Sequence, residues 1–165
     1  MSISDFVSKF QHGARANLFR VDIPGRINED SKFFIKSAQT PSKNIAKIEM
    51  RYRNNIIPVA GETATFDDWT VTVVNDVNFG IRKELEDWMA IIKSNDRTQG
   101  AINQSEYFST AVVTQILQNG DDSDVAYEFV NVWPTNLSVI DLSFDSQDTV
   151  QEYTVTFAYS YWNRV

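Results

Sequence analysis

The chain has 165 residues and no cysteine, with 15 Lys+Arg against 22 Asp+Glu for a net charge of −7. At ~100–200 residues per domain this predicts one domain, 1–165, needing no covalent staple, and it excludes disulfides, zinc–thiolate sites and thiol catalysis. The acid excess disfavours broad binding to a nucleic-acid backbone, and 42% hydrophobic with 13% aromatic residues excludes disorder.

At the amino end, Phe6, Val7 and Phe10 share one face of a short helix that Ser4 or Asp5 can cap and that stops at Gly13. No basic segment leads into an apolar run and no stretch nears 18 apolar residues, so neither a signal peptide nor a membrane span is expected. From Asn17 the period becomes two: Phe19, Val21 and Ile23 form one face of a strand ended by Pro24-Gly25. Residues 32–38 read as a second strand, pairing with the first as a hairpin.

Residues 45–61 are more unusual. Ile48, Met50 and Tyr52 alternate with Lys47, Glu49, Arg51 and Arg53, and Asn54-Asn55 suits a tight reversal into the apolar arm Ile56-Ile57-Pro58-Val59. Pro58 cannot donate a ladder bond, so the arm is not central in a sheet, and an exposed apolar edge implies a partner. The run 65–74 is the densest in β-formers, with Trp69, Val71 and Val73 on one face. Across 79–94 the apolar residues Ile81, Leu85, Trp88, Met89 and Ile92 take helical spacing, opposite charged positions, with Asn78 as cap. This stripe is expected to pack on the sheet.

Residues 95–106 are polar and read as a loop. Four further strands are expected at 108–118, 124–133, 136–144 and 150–162. In the last, Tyr153, Val155, Phe157, Tyr159 and Tyr161 face one way, and Glu152, Thr154 and Thr156 the other. Seven or eight strands and one strong helix predict a mainly β fold: an antiparallel β-sandwich or barrel with a flanking amphipathic helix.

The inventory for catalysis is thin. His12 is the only histidine, so no metal–histidine cluster can be assembled in one subunit. Asp67-Asp68 would point to opposite faces of a strand, and Asp141, Asp145 and Asp148 lack the spacing of a calcium loop. No phosphate-binding glycine loop or zinc-protease motif occurs. No catalytic residue, metal or cofactor is expected. The aromatic stripe Tyr153, Phe157, Tyr159, Tyr161 and Trp162 could form a sugar- or base-stacking platform, though period-two aromatics are more often half of a core.

Several local patterns coincide. Val59-Ala60-Gly61, then Thr65-Phe66-Asp67-Asp68-Trp69-Thr70-Val71-Thr72-Val73 with Asn75-Asp76, and Val132-Trp133-Pro134-Thr135-Asn136 with Leu142 and Asp145, occur in order with Val155-Thr156-Phe157 and Tyr161-Trp162. Together with Asn17-Leu18-Phe19 they resemble the tail tube proteins of T-even-like contractile bacteriophages, related to tube subunits of type VI secretion and contractile injection systems. The resemblance implies a non-enzymatic building block: six subunits form a ring with a continuous inner β-barrel, and stacked rings form a conduit for the genome. It implies sheath, baseplate and tail-terminator proteins as partners, double-stranded DNA in transit, and no membrane insertion by the monomer. A bacterial injection or secretion machine is the alternative setting, and a carbohydrate-binding sandwich a more distant one.

Under that resemblance, 1–13 is an N-terminal arm and 45–61 a projecting hairpin. Ile48, Met50, Arg51, Tyr52, Arg53, Ile56, Ile57, Pro58 and Val59 are the candidate stacking contacts, with Arg51 and Arg53 expected to meet acids of an adjoining subunit. Lys47, Glu49, Glu152, Thr154 and Thr156 are candidates for the lumen, where an acidic or neutral wall would let a phosphate polymer slide.

Overall fold

The computed structural model describes residues 2–10, 14–29 and 34–165. His12, Gly13, Lys32 and Phe33, used in the sequence expectations, lie outside them. The elements are α1 (Ile3–Phe10), β1 (Phe19–Asp22), β2 (Ile35–Ala38), β3 (Asn44–Tyr52), β4 (Asn55–Thr65), β5 (Trp69–Val74), α2 (Gly80–Ile92), β6 (Ser109–Ile116), β7 (Asp122–Leu137), β8 (Glu152–Ala158) and β9 (Tyr161–Arg164).

Helix α1 is capped two or three residues earlier than its pattern suggests. The Ser2 hydroxyl accepts the Asp5 N–H at 3.2 Å while the Asp5 carboxylate accepts the Ser2 N–H at 3.1 Å, a reciprocal box that makes Ser2, not Ser4 or Asp5, the cap. Likewise α2 is not capped by Asn78: the Asp76 carboxylate accepts the Gly80 N–H at 2.7 Å, and Phe79 turns the chain with φ 56°.

All strand pairs are antiparallel. One seven-stranded sheet runs β1-β6-β7-β8-β5-β2, with β9 also on β7, and β3-β4 make a separate two-stranded ribbon. The expected β1–β2 hairpin does not form, because β1 pairs with β6 and β2 with β5, at opposite margins of the sheet. The margins β1 and β2 are not paired with each other, so the sheet coils without closing into a barrel.

Strand β7 is the longest, and it absorbs two expected elements. It continues through Pro134, which is tolerated because beyond Val132 the strand has a partner on one side only. The expected strand at 136–144 therefore ends at Leu137, and residues 138–151 form an irregular loop. The opposite correction applies at 150–162, which divides into β8 and β9 around Tyr159 and Ser160. The break mirrors a kink in β7, where Asn131 has φ 58°, its amide donates to the Ser160 hydroxyl, and the Ser160 N–H bonds the Val130 carbonyl. Alternation changes phase there. Tyr161 is exposed, and Trp162 takes its place against the core.

The core lies between the coiled sheet and α2. Val21 of β1 and Ile23 just beyond it, Trp69, Val71 and Val73 of β5, and Tyr153, Val155 and Phe157 of β8 are all buried. Trp69 stacks on Phe129 at 4.5 Å and meets Phe157 at 5.3 Å. On α2, Ile81, Leu85 and Trp88 are buried, with Met89 and Ile92 half-buried. Trp88 donates to the Tyr107 carbonyl at 2.7 Å. Each large apolar side chain so buried contributes roughly 1.5–3 kcal/mol. Tyr153 and Phe157 are thus core residues, which removes them from any sugar-stacking platform.

Candidate subunit interface

β2 and β5 pair within the body, and the chain on either side of that pair continues as β3 and β4. The two pairs form one long ribbon, interrupted at residues 39–43 and 66–68. The interruption is tied down. Trp69 donates its indole N–H to the Gln39 carbonyl at 2.9 Å, Trp162 donates to the Ser42 carbonyl at 3.0 Å, and the Asp67 N–H bonds the Ser42 hydroxyl. Beyond it no described residue covers the ribbon: every residue of β3 is exposed, as is every residue of β4 except half-buried Gly61. Nine residues at ~3.3 Å rise give a projection of roughly 30 Å.

The reversal is a two-residue loop at Arg53 and Asn54, one position earlier than the expected Asn54-Asn55, since Tyr52 pairs with Asn55. Arg53 takes φ 55°. The hairpin is also longer than 45–61, spanning 44–65, because β4 bulges around Ala46 between the Lys47↔Ala60 and Ile45↔Ala64 pairs. Gly61 sits in the bulge, where an added Cβ would lie 3.0 Å from the Ala46 carbonyl oxygen.

Residues opposite each other in an antiparallel pair share a face. Ile48 lies opposite Val59 and Met50 opposite Ile57, and with Tyr52 they make one continuous apolar face. They are 42–63% exposed, far from the burial such side chains find in a core. Glu49 lies opposite Pro58 and Arg51 opposite Ile56 on the other face, which also carries a Lys47–Glu49 ion pair at 3.2 Å. The arm Ile56-Ile57-Pro58-Val59 is thereby split between two faces. Arg53 lies over the Tyr52 ring at 5.5 Å.

The candidate lumen residues fall into two places. Lys47 and Glu49 are on the hairpin. Glu152, Thr154 and Thr156 are on β8, where Thr154 lies opposite Thr72 and Thr156 opposite Thr70 of β5. That outer surface is a band of hydroxyls, and its Glu152 is neutralised by Lys36 at 2.5 Å.

Two exposed apolar features were not singled out as contacts by sequence. Helix α1 buries nothing: Ile3, Phe6, Val7 and Phe10 are more than half exposed, and Phe6 stacks on Phe10 at 5.3 Å. Loop 138–151 exposes Val139, Leu142, Phe144 and Val150. The first was visible as a helical stripe. The second carried a strand-like alternation that concealed it. Among the described residues no group of His, Cys, Asp or Glu could hold a metal ion, and no helix is long and apolar enough to cross a membrane.

The comparisons with known proteins concern the chain as a whole. Residues 3–165 match the family model described as phage tail tube protein. Tail tube protein gp19 of Enterobacteria phage T4 is 35% identical over 98% of this chain and 99% of its own length. Among solved structures, a chain of the PVC sheath/tube terminator of an extracellular contractile injection system, in its extended state, shares the fold with TM-score 0.69 at 17% identity, over 92% of this chain and 95% of that one. A chain of the PVC sheath-tube complex does so with TM-score 0.60 at 20% identity, over 100% and 99%. A family model matched over nearly the whole length and a relative 35% identical from end to end settle the affiliation: the chain belongs to the phage tail tube protein family.

Proposed function

We propose that this chain is the repeating subunit of the inner tube of a contractile phage tail, forming hexameric rings that stack into a conduit for double-stranded DNA. The observation that carries the reading is the β3–β4 ribbon, whose apolar face has no partner among the described residues. An exposed strand surface of this size is stable in a soluble protein when a neighbouring subunit covers it. The unjoined margins β1 and β2 supply a second reason to assemble: adjacent subunits pairing at these margins would complete a ring-wide inner barrel. Ile48, Met50, Tyr52, Ile57 and Val59, with Arg51, Arg53, Ile56 and Pro58 behind them, are the stacking contacts.

The hydroxyl band of β5 and β8, bearing Thr154, Thr156 and the paired Glu152, faces the lumen in this reading, and Lys47 with Glu49 continues it along the hairpin. A wall whose cations are already paired releases no counterions onto passing phosphates, so it does not hold them. The protein acts as a structural component with no catalytic role. Sheath, baseplate and tail-terminator proteins are its neighbours, and it is assembled in the host bacterial cytoplasm and resides in the virion tail. The fold alone is equally compatible with a bacterial contractile injection system. The 35% identity to the phage relative, against 17% and 20% to the PVC chains, favours the phage.

Negative-stain electron microscopy of the purified chain, alone and with a baseplate seed, tests this. Hollow rings or tubes are expected. A chain that stays monomeric in both conditions overturns the proposal.

A further inference from the structure

Resting on the stacking reading above, we propose that the hairpin tip of one copy seats in loop 138–151 of a second copy, which joins the two ends of the fold head to tail. The placement follows from topology. β5 runs from Trp69, beside the root of the hairpin, to Val74, which lies opposite Glu152 at the start of β8. Loop 138–151 links β7 to β8 at that far end, and it is joined to the end of β5 by the Asn75 N–H on the Gln151 carbonyl at 2.8 Å. The ribbon and the loop therefore lie at opposite ends of the same sheet. A contact between unlike ends is heterologous and propagates as an open stack.

The two surfaces are complementary. Between Met50 and Ile57 the hairpin tip carries Arg51 and Arg53 and no acid, and neither arginine has an ion-pair partner among the described residues. The loop carries Asp141, Asp145 and Asp148 and no base. It encloses a solvent-open hollow of about 520 Å³, lined in part by Val139, Leu142 and Val150, with Phe144 fully exposed beside it. Arg82 fixes the root of the loop by donating to the Ser138 carbonyl at 3.2 Å.

Several other acidic turns are already engaged within the chain. Asp122 holds Arg20 through two bonds, Asp121 bonds Asn119, and Asp96 is bound by Ser94 and Thr98, which hold its carboxyl down at about 2. The carboxylates of 138–151 accept no such bond among the described residues. Loop 138–151 is thus the acidic segment that combines free carboxylates, exposed apolar side chains and a hollow at the end the hairpin must meet.

The test is a charge exchange in the full chain. Arg51→Glu with Arg53→Glu, and separately Asp141→Lys, Asp145→Lys and Asp148→Lys, should each shorten tubes by about tenfold or more, since like charges then face each other. The two sets combined should restore tube length to within about twofold of the unmodified chain. Combined variants as defective as either set alone overturn the proposal. A second measurement is independent of the charge changes: in a chain without native cysteine, Asn54→Cys with Ser143→Cys should give an inter-chain disulfide ladder, and Asn54→Cys with Asp121→Cys should not. Tubes that form without the first ladder, or with only the second, overturn the pairing while leaving the stacking reading intact. Absence of tubes from the unmodified chain overturns both.

Discussion

The β5–β8 pair and the β3–β4 ribbon are built from similar strand patterns yet have opposite fates. In β5, every second residue from Trp69 is buried, because α2 and the coiled sheet close over that face. In β3 the same alternation of Ile48, Met50 and Tyr52 finds no layer above it, and all three stay more than half exposed. Period-two patterning thus states that a face wants cover, without stating whether the cover comes from the same chain.

Substitutions should separate the two regions by stability. Trp69→Ala removes an indole stacked on Phe129 and bonded to the Gln39 carbonyl, and should cost about 3–5 kcal/mol, read as a large fall in melting temperature. A melting temperature within a few degrees of the unmodified chain would mean that the core is not organised around this ring.

Next in size is a pH effect at Tyr153. Burial pushes its phenol up to about 12, against the pull of Arg82, whose guanidinium lies 5.2 Å from the ring centre. The folded state holds the proton more tightly than the unfolded state, so stability is unaffected below pH 10 and falls as pH rises from 10 through 12. The loss should reach roughly 3 kcal/mol above that window. The Tyr153 hydroxyl has no hydrogen-bond partner among the described residues, so Tyr153→Phe should fold normally and lose this alkaline sensitivity. Denaturant midpoints at pH 9 and pH 11.5 check it, and equal slopes in both proteins would refute it.

Arg20→Ala should cost about 1 kcal/mol, because its bonds to Asp22 and Asp122 are partly exposed to solvent. Urea titration at low and high salt reads this, with a smaller difference expected at high salt.

The smallest stability effect belongs to the hairpin. Met50→Lys with Ile57→Glu should change monomer stability by no more than ~0.5 kcal/mol, since neither side chain is buried in the chain and the two new charges, facing each other across the ribbon, are opposite in sign. Assembly measured by sedimentation should nevertheless be lost. A destabilised monomer would mean that the ribbon folds back on its own body.

The core was readable wherever the periodicity was local. Val21, Val71, Val73, Val155 and Phe157 take the buried side that alternation assigns them, and Ile81, Leu85 and Trp88 form one buried helical stripe. The hairpin, with Arg51 and Arg53 near its tip, was readable from its turn chemistry and alternation. Loop 138–151 was not. Its run from Ser138 to Phe144 alternates like a strand, but the ladder of β7 with β6 stops at Val132 opposite Ser109 and that with β8 at Leu137 opposite Val155, and no described strand pairs beyond them.

By itself the sequence determined which side of most short segments is apolar and where the helices lie, because these depend on neighbours within a few residues, and it offers no thiol and a single histidine. Only the tertiary structure decided that β1 pairs with β6 and not β2, that β7 runs through Pro134, and that the phase of 150–162 reverses at Ser160. Those outcomes depend on backbone bonds between residues far apart in the chain. A kink at Asn131 in one strand sets which side of Trp162 is buried in another.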